Sequence, residues 1–323
     1  MSASASSRTA APSRTAVEIA SQPDNWLRAR DSLESYRDVL PRRGERVAVV
    51  GCGTSWFMAR AYASLRELGG HGETDAWAAS EFPYGRRYDR ILAITRSGTT
   101  TEVLDLITRV KGAVPVGAIT AVAGTPVPRE ADGAAVLGFA DEESVVQTRF
   151  ATTVLALLRA QLEAEGALPA GVRPLEQAIS DARQAVVREL APGVPAAGQF
   201  TFLGSGWTCG LALEAALKLR EAAGAWTEAY PAMEYRHGPI SVTGPGRVVW
   251  IFGPTPPGLA DDVARVGGTL VANSDGGLST GLDPLADLVL AQRLAVALAE
   301  ARGCDPDRPR NLTRSVILTS GQM

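Results

Sequence analysis

The sequence predicts an α/β protein built from two tandem modules, each a parallel sheet flanked by helices in three layers. Three observations carry that expectation. Apolar runs of strand length alternate with longer runs of helical periodicity. Several strand-like runs end at turns rich in Gly, Ser and Thr that open directly into helices. One strand–turn–helix unit also occurs twice: VAVVGCGTSWFMARAYASLRE from Val47 lies over FTFLGSGWTCGLALEAALKLRE from Phe200, with one extra residue in the second copy. Both copies end Leu-Arg-Glu. A repeated supersecondary unit argues for two similar modules more firmly than any single motif.

The elements follow in order. Residues 1–17, with their Ser, Ala and Arg, read as a disordered tail without the apolar core of a secretory signal. The first module spans 18–165. It has strands near 46–50, 91–95, 116–122 and 134–139, helices after the first two, and a long helix over 147–165. Residues 166–195, punctuated by Pro and Gly, read as a helical linker region. The second module spans 196–304, with strands at 200–203, 247–252 and 269–272 and helices ending near 223 and 302. Residues 305–323 form a C-terminal tail expected to close over the active site.

With 323 residues, 46% of them hydrophobic, there is enough chain for two packed domains. A net charge of −3 gives no basic excess for nucleic acid or an anionic membrane. No apolar run approaches the roughly 18 to 20 residues that span a bilayer. Three cysteines without metal-ligand spacing and only two histidines argue against a metal centre. They suit a reducing cytoplasm, and no cofactor is implied.

The candidate site begins at Thr95-Arg96-Ser97-Gly98-Thr99-Thr100-Thr101, where a strand turns into a helix. A helix N-terminus presents unsatisfied N–H groups and the positive end of the macrodipole, so it attracts anions. The Ser and Thr hydroxyls add donors. Arg96 adds a fork that suits phosphate. A simple helix cap needs one hydroxyl rather than four. Gly51-Cys52-Gly53-Thr54-Ser55 is a second such turn. It is not a dinucleotide fingerprint, because Trp56 stands at the third glycine position, and it lacks the lysine of a Walker loop. Both loops fall at the carboxyl ends of parallel strands, where ligands of such sheets bind. The corresponding turn of the second module, Gly253-Pro254-Thr255-Pro256-Pro257-Gly258, is poor in donors. Glu214, Lys218 and Glu221 share one helical face. Glu214 and Lys218 alone could be an ion pair on a solvated helix. Glu221, at the helix end, suits a general base. His237 lies in a tight loop, while His71 reads as an ordinary loop residue.

Taken in order, GCGTS at 51, TRSGTT at 95, EESVVQTRFATT at 142, the long stretch from LGSGWTCG at 203 to YRHGP, and DPDRPRNLTRSV at 305 resemble the sugar isomerase (SIS) phosphosugar-binding family. The resemblance is to its tandem isomerase domain of glucosamine-6-phosphate synthase type and to stand-alone isomerase and deaminase relatives. It implies a flavodoxin/Rossmann-like sandwich in each module. It places phosphate contacts on Ser55, Thr95, Arg96, Ser97 and Thr100, and the sugar-binding side on Thr54, Val145 and Gln147. It makes Glu221 the base that moves a proton between C1 and C2, and Lys218 a sugar-facing lysine. His237 becomes the ring-opening residue, donated by the neighbouring subunit of a homodimer.

Two departures shape the expected activity. No glutaminase segment with a catalytic N-terminal cysteine is read in the sequence. Arg314 also stands where the synthase has a carbonyl-engaging lysine; arginine forms no Schiff base but can stabilise an enolate oxygen. The expected function is an amino-sugar 6-phosphate isomerase/deaminase working on glucosamine 6-phosphate or N-acetylglucosamine 6-phosphate. A dehydratase acting through the same enolate and a non-catalytic phosphosugar sensor are the alternatives.

Overall fold

The computed structural model describes residues 11–273 and 277–318. The side chain of Ser13 accepts a hydrogen bond from the Ala16 amide and caps α1 (Arg14–Ala20), which leads into α2 (Gln22–Asp31) and α3 (Leu33–Tyr36). The tail reading therefore fails for 14–17. The amides of Arg14 and Thr15 and the Thr15 hydroxyl donate to Asp307, tying the start of the chain to its far end. Residues 1–10 of that tail lie outside the described residues.

The first module follows: β1 (Val47–Gly51), α4 (Thr54–Leu68), β2 (Thr74–Ala78), β3 (Arg90–Ile94), α5 (Thr101–Val110), β4 (Val116–Thr120), α6 (Pro126–Glu130), β5 (Gly133–Val136) and α7 (Arg149–Ala164). Its five strands lie in the order β2-β1-β3-β4-β5, all parallel. Alternate residues of β1 serve two separate cores: Val47 and Val49 pack on one face, Ala48 and Val50 on the other. This accounts for the unbroken apolar run, since a strand covered on both faces needs no polar side.

The chain continues through α8 (Leu175–Val187) to the second module: β6 (Gln199–Gly204), α9 (Thr208–Ala223), β7 (Thr227–Pro231), β8 (Arg247–Phe252), α10 (Leu259–Arg265), β9 (Thr269–Ala272), β10 (Leu278–Ser279) and α11 (Pro284–Ala301). Its order is β10-β9-β8-β6-β7, again parallel. Helix α8 packs on α2 and α11, so the stretch expected to be a linker is part of the helical layer. The strand expected over 134–139 stops at Val136, and Gly138–Ala140 is a 3₁₀ turn. Strands β2 and β7 escape the sequence reading because they are short edge strands with half-buried patterns.

Helices α4 and α9 pack directly on each other, and this contact joins the modules. Gly210 makes it possible: a Cβ there would lie 2.5 Å from the Phe57 carbonyl oxygen. No helix among the described residues is long and apolar enough to cross a membrane.

Candidate active site

The two repeat helices start at the ends of β1 and β6, yet their functional residues come from opposite ends. Thr54 and Ser55 open α4, and Lys218 and Glu221 close α9. The α4–α9 contact brings these together: Lys218 Nζ donates to Thr54 Oγ1 at 3.0 Å and to Glu221 at 2.5 Å. Glu214 lies 3.5 Å from the same ammonium. Lys218 and Glu214 are fully buried, so the solvated-pair reading does not hold; Glu221 keeps 19% of its side-chain surface exposed. Burial alone would lower the Lys218 ammonium, but Glu214 and Glu221 together hold it above its ordinary range. Burial pushes the Glu214 carboxyl up to about 8, with Lys218 opposing. Neither Glu214 oxygen has a hydrogen-bond partner among the described residues.

Beside this triad lies a cavity of about 210 Å³. Thr54, Ser55, Thr95, Arg96, Ser97, Thr100, Val145, Gln147, Glu221 and Arg314 all contribute to its wall. The loop after β3 turns at Gly98, whose φ of +65° and whose absent side chain are both required: a Cβ would sit 2.0 Å from Thr125 Oγ1. The Thr95 and Thr100 hydroxyls bond each other at 3.1 Å. Residues 312–316 form an adjoining wall. Ser315 Oγ lies 3.0 Å from both Ser97 Oγ and Thr99 Oγ1, and the Thr101 amide donates to the Val316 carbonyl.

Arg96 occupies a different place from a free phosphate fork. Its guanidinium is buried and donates to the Ser144 carbonyl at 3.1 Å and the Arg314 carbonyl at 2.9 Å, with Glu142 at 3.7 Å. It staples the 144–145 strip and the C-terminal tail to the phosphate-type loop. Two residues that the sequence reading passed over build that strip. Glu18 accepts from the amides of Glu143 and Ser144. Glu142 accepts from the Thr148 and Arg149 amides and the Thr148 hydroxyl, capping the entry to α7. Burial raises the Glu142 carboxyl, with Arg96 opposing. The signal for Glu142 was the acid followed six residues on by Thr148; nothing local marked Glu18.

Arg314 lines the cavity, but its guanidinium is turned to Asp141 and the Glu142 carbonyl. His237 is exposed, on the one-turn helix after β7, and is not part of the cavity wall within this chain. His71 is fully buried and bonds Glu165 at 2.6 Å, so it is a packed core group and not a loop residue in solvent.

No family model matches the chain. The glutamine–fructose-6-phosphate aminotransferase (isomerizing) of Aeropyrum pernix is 33% identical over 316 residues, taking in 84% of this chain and 51% of that protein. The crystal structure of glucosamine-6-phosphate deaminase from Thermotoga maritima matches with a TM-score of 0.80 at 25% identity, over 95% of this chain and 100% of that one. The chain belongs to the SIS family. Its two parallel five-stranded sheets are the two SIS units of that fold. The C-terminal domain of glucosamine-fructose-6-phosphate aminotransferase from Francisella tularensis shares the fold, with a TM-score of 0.76 at 20% identity over 94% of this chain and 100% of that one. This SIS chain spans about half the length of the curated relatives it matches. Its relatives and neighbours are sugar-phosphate enzymes, related to the isomerase part of the aminotransferase.

Proposed function

We propose that the chain is an amino-sugar 6-phosphate isomerase/deaminase, acting on glucosamine 6-phosphate or N-acetylglucosamine 6-phosphate by removing the C2 proton. One observation carries the reading: a single cavity holds a hydroxyl-rich helix N-terminus on one side and the lysine-paired carboxylate of Glu221 on the other. The N-terminus of α5, with Ser97, Thr100 and Ser55, suits the 6-phosphate. Glu221 takes the C2 proton of the open-chain aldose while the electron pair moves to the C1 oxygen. Returning the proton to C1 completes isomerisation. With a free C2 amine, the product is a C2 imine, and its hydrolysis releases ammonia. Lys218 holds Glu221 in place before substrate arrives. In this proposal His237 completes the site of the other subunit in a homodimer.

A dehydratase reading has one observation in its favour. Position 314 carries an arginine, which forms no imine with the substrate, and its guanidinium is turned to Asp141 and the Glu142 carbonyl. An N-acetyl sugar, whose nitrogen leaves poorly, would instead lose its C3 hydroxyl from the same enolate.

Proton NMR in D2O, with the two sugar phosphates offered separately, tests both. Loss of the C2 proton signal with appearance of a ketose supports isomerase or deaminase, and an ammonia assay divides them. Vinylic signals from the N-acetyl sugar support the dehydratase. Saturable binding with no exchange on either substrate would overturn the enzymatic reading in favour of a phosphosugar sensor.

A further inference from the structure

A second cavity, of about 600 Å³, adjoins the first and shares Glu221 with it. Its wall carries four arginines, Arg220, Arg302, Arg308 and Arg310, against two carboxylates, Glu221 and Asp305. Glu221 is already paired with Lys218. None of the four arginines forms an ion pair among the described residues. Arg220 donates to Thr227 and Arg302 to the Ala223 carbonyl, which uses one nitrogen of each. Arg308 and Arg310 make no side-chain hydrogen bond among the described residues; Arg310 stands over the end of α9, where a Cβ on Gly224 would meet it at 3.6 Å. On the proposed function, the phosphate and the reacting carbons of a hexosamine phosphate belong to the first cavity, and the second adjoins it with a net positive wall.

We propose that this arginine-lined cavity binds a second anionic group of the substrate, carried on the nitrogen at C2. The inference rests on the reading of Glu221 as the C2 base. Glu221 lines both cavities, so a substituent on the nitrogen of the carbon it deprotonates lies beside the second one while the 6-phosphate stays at the α5 N-terminus. A carboxylate at the end of a short N-acyl arm would meet guanidinium forks without displacing an existing ion pair. Charge-assisted bonds of this kind are about twice as strong as neutral ones.

The test compares N-succinylglucosamine 6-phosphate with N-acetylglucosamine 6-phosphate, which differ by one terminal carboxymethyl group. Binding is measured by calorimetry on the full chain and on Arg308→Ala/Arg310→Ala, with Arg308→Gln/Arg310→Gln as the conservative second variant. The wild type should bind the succinyl sugar tighter by about tenfold, as expected for one or two charge-assisted bonds. Both double variants should bring the two ligands to parity without changing affinity for the N-acetyl sugar. Equal affinities in the wild type, or a preference that survives in the variants, overturns the proposal while leaving the C2-base reading intact. If neither sugar phosphate binds, that reading fails, and this one with it. A fall in dimer content in the variants with no ligand preference would assign the arginines to a subunit contact instead.

Discussion

Replacing Glu214 by Gln separates the charge of the buried triad from its shape. Glu214 is fully buried, with Lys218 Nζ at 3.5 Å and no hydrogen bond to either oxygen. Burial pushes its carboxyl from an ordinary 4.5 up to about 8; Lys218 pulls it back and Glu221 pushes it further up. Below the lower value the group is protonated in both the folded and the unfolded chain. Between the two values the unfolded chain releases the proton and the folded chain keeps it, so stability falls as pH rises through that window and levels off above it. At 1.36 kcal/mol per unit, going from about pH 5.5 to about pH 7.5 should cost the wild type about 3 kcal/mol that the Gln variant does not lose. Urea unfolding followed by tryptophan fluorescence, run on both chains at several pH values, reads the difference directly. The variant should gain on the wild type as pH rises through the neutral range. A gap that does not change with pH would mean that Glu214 is ionised in the folded protein and that Lys218 fully offsets its burial.

Glu221→Gln should abolish C2 proton exchange in D2O while leaving phosphosugar affinity within about threefold, since the amide keeps the shape but cannot take a proton; loss of binding would make the residue structural. Arg96→Gln removes the donors to the Ser144 and Arg314 carbonyls. It should expose residues 312–316 to limited proteolysis and weaken phosphosugar binding by roughly tenfold or more through loss of the wall, since two charged bonds worth about 1.5–3 kcal/mol each hold it. Weaker binding with an unchanged cleavage pattern would instead make Arg96 a direct phosphate ligand. If His237 completes the neighbouring subunit's site, Glu221→Gln and His237→Ala, each inactive alone, should recover about a quarter of wild-type activity when refolded together, because half the dimers then carry one intact site of two. No recovery in proven mixed dimers would remove His237 from a shared site.

The parts of the fold legible in the sequence were those where one residue pattern has one physical outcome. The unbroken apolar run of β1 and the mostly apolar run of β6 are buried on both faces, and the Gly-Ser-Thr turns do open α4 and α5. The edge strands β2, TDAWA, and β7, TEAYP, were hidden because an edge strand is paired on one side only and tolerates Asp, Glu and Pro. Helix α1 was hidden in a polar stretch because what holds it is not local: Asp307, almost the whole chain away, takes its first amides. Much of the candidate site could be placed by residue type, since Ser and Thr at a helix start and a carboxylate at a helix end carry their chemistry in their position. The direction of a long side chain could not. Arg96 and Arg314 both line the cavity, but their guanidinium groups are aimed by carbonyls and carboxylates of strips 141–145 and 314, a pairing that exists only after the chain has folded.

The internal repeat explains why the candidate site lies at the seam between the modules and not within either one. Both copies end Leu-Arg-Glu, at Leu65-Arg66-Glu67 and Leu219-Arg220-Glu221. In the first copy these residues close a helix against its own sheet. Arg66 is buried and donates to the Thr74 hydroxyl and the Arg42 carbonyl, and Glu67 accepts from the Thr74 amide that begins β2. In the second copy Arg220 keeps that role, donating to Thr227 at the start of β7, but Glu221 is released to the cavity and held by Lys218 instead. The loops diverge in the opposite sense. The turn after β3 keeps its hydroxyls, whereas the turn after β8 is Gly-Pro-Thr-Pro-Pro-Gly. Each module has therefore kept the half that the other lacks: a hydroxyl-rich helix start from the first and a cavity-facing, lysine-paired carboxylate at a helix end from the second. Neither half alone can hold a phosphate and move a proton. In the proposed reaction the close approach of α4 and α9 at Gly210 serves function as well as packing, because separating those helices would part Thr54 from Lys218 and the α5 N-terminal loop from Glu221.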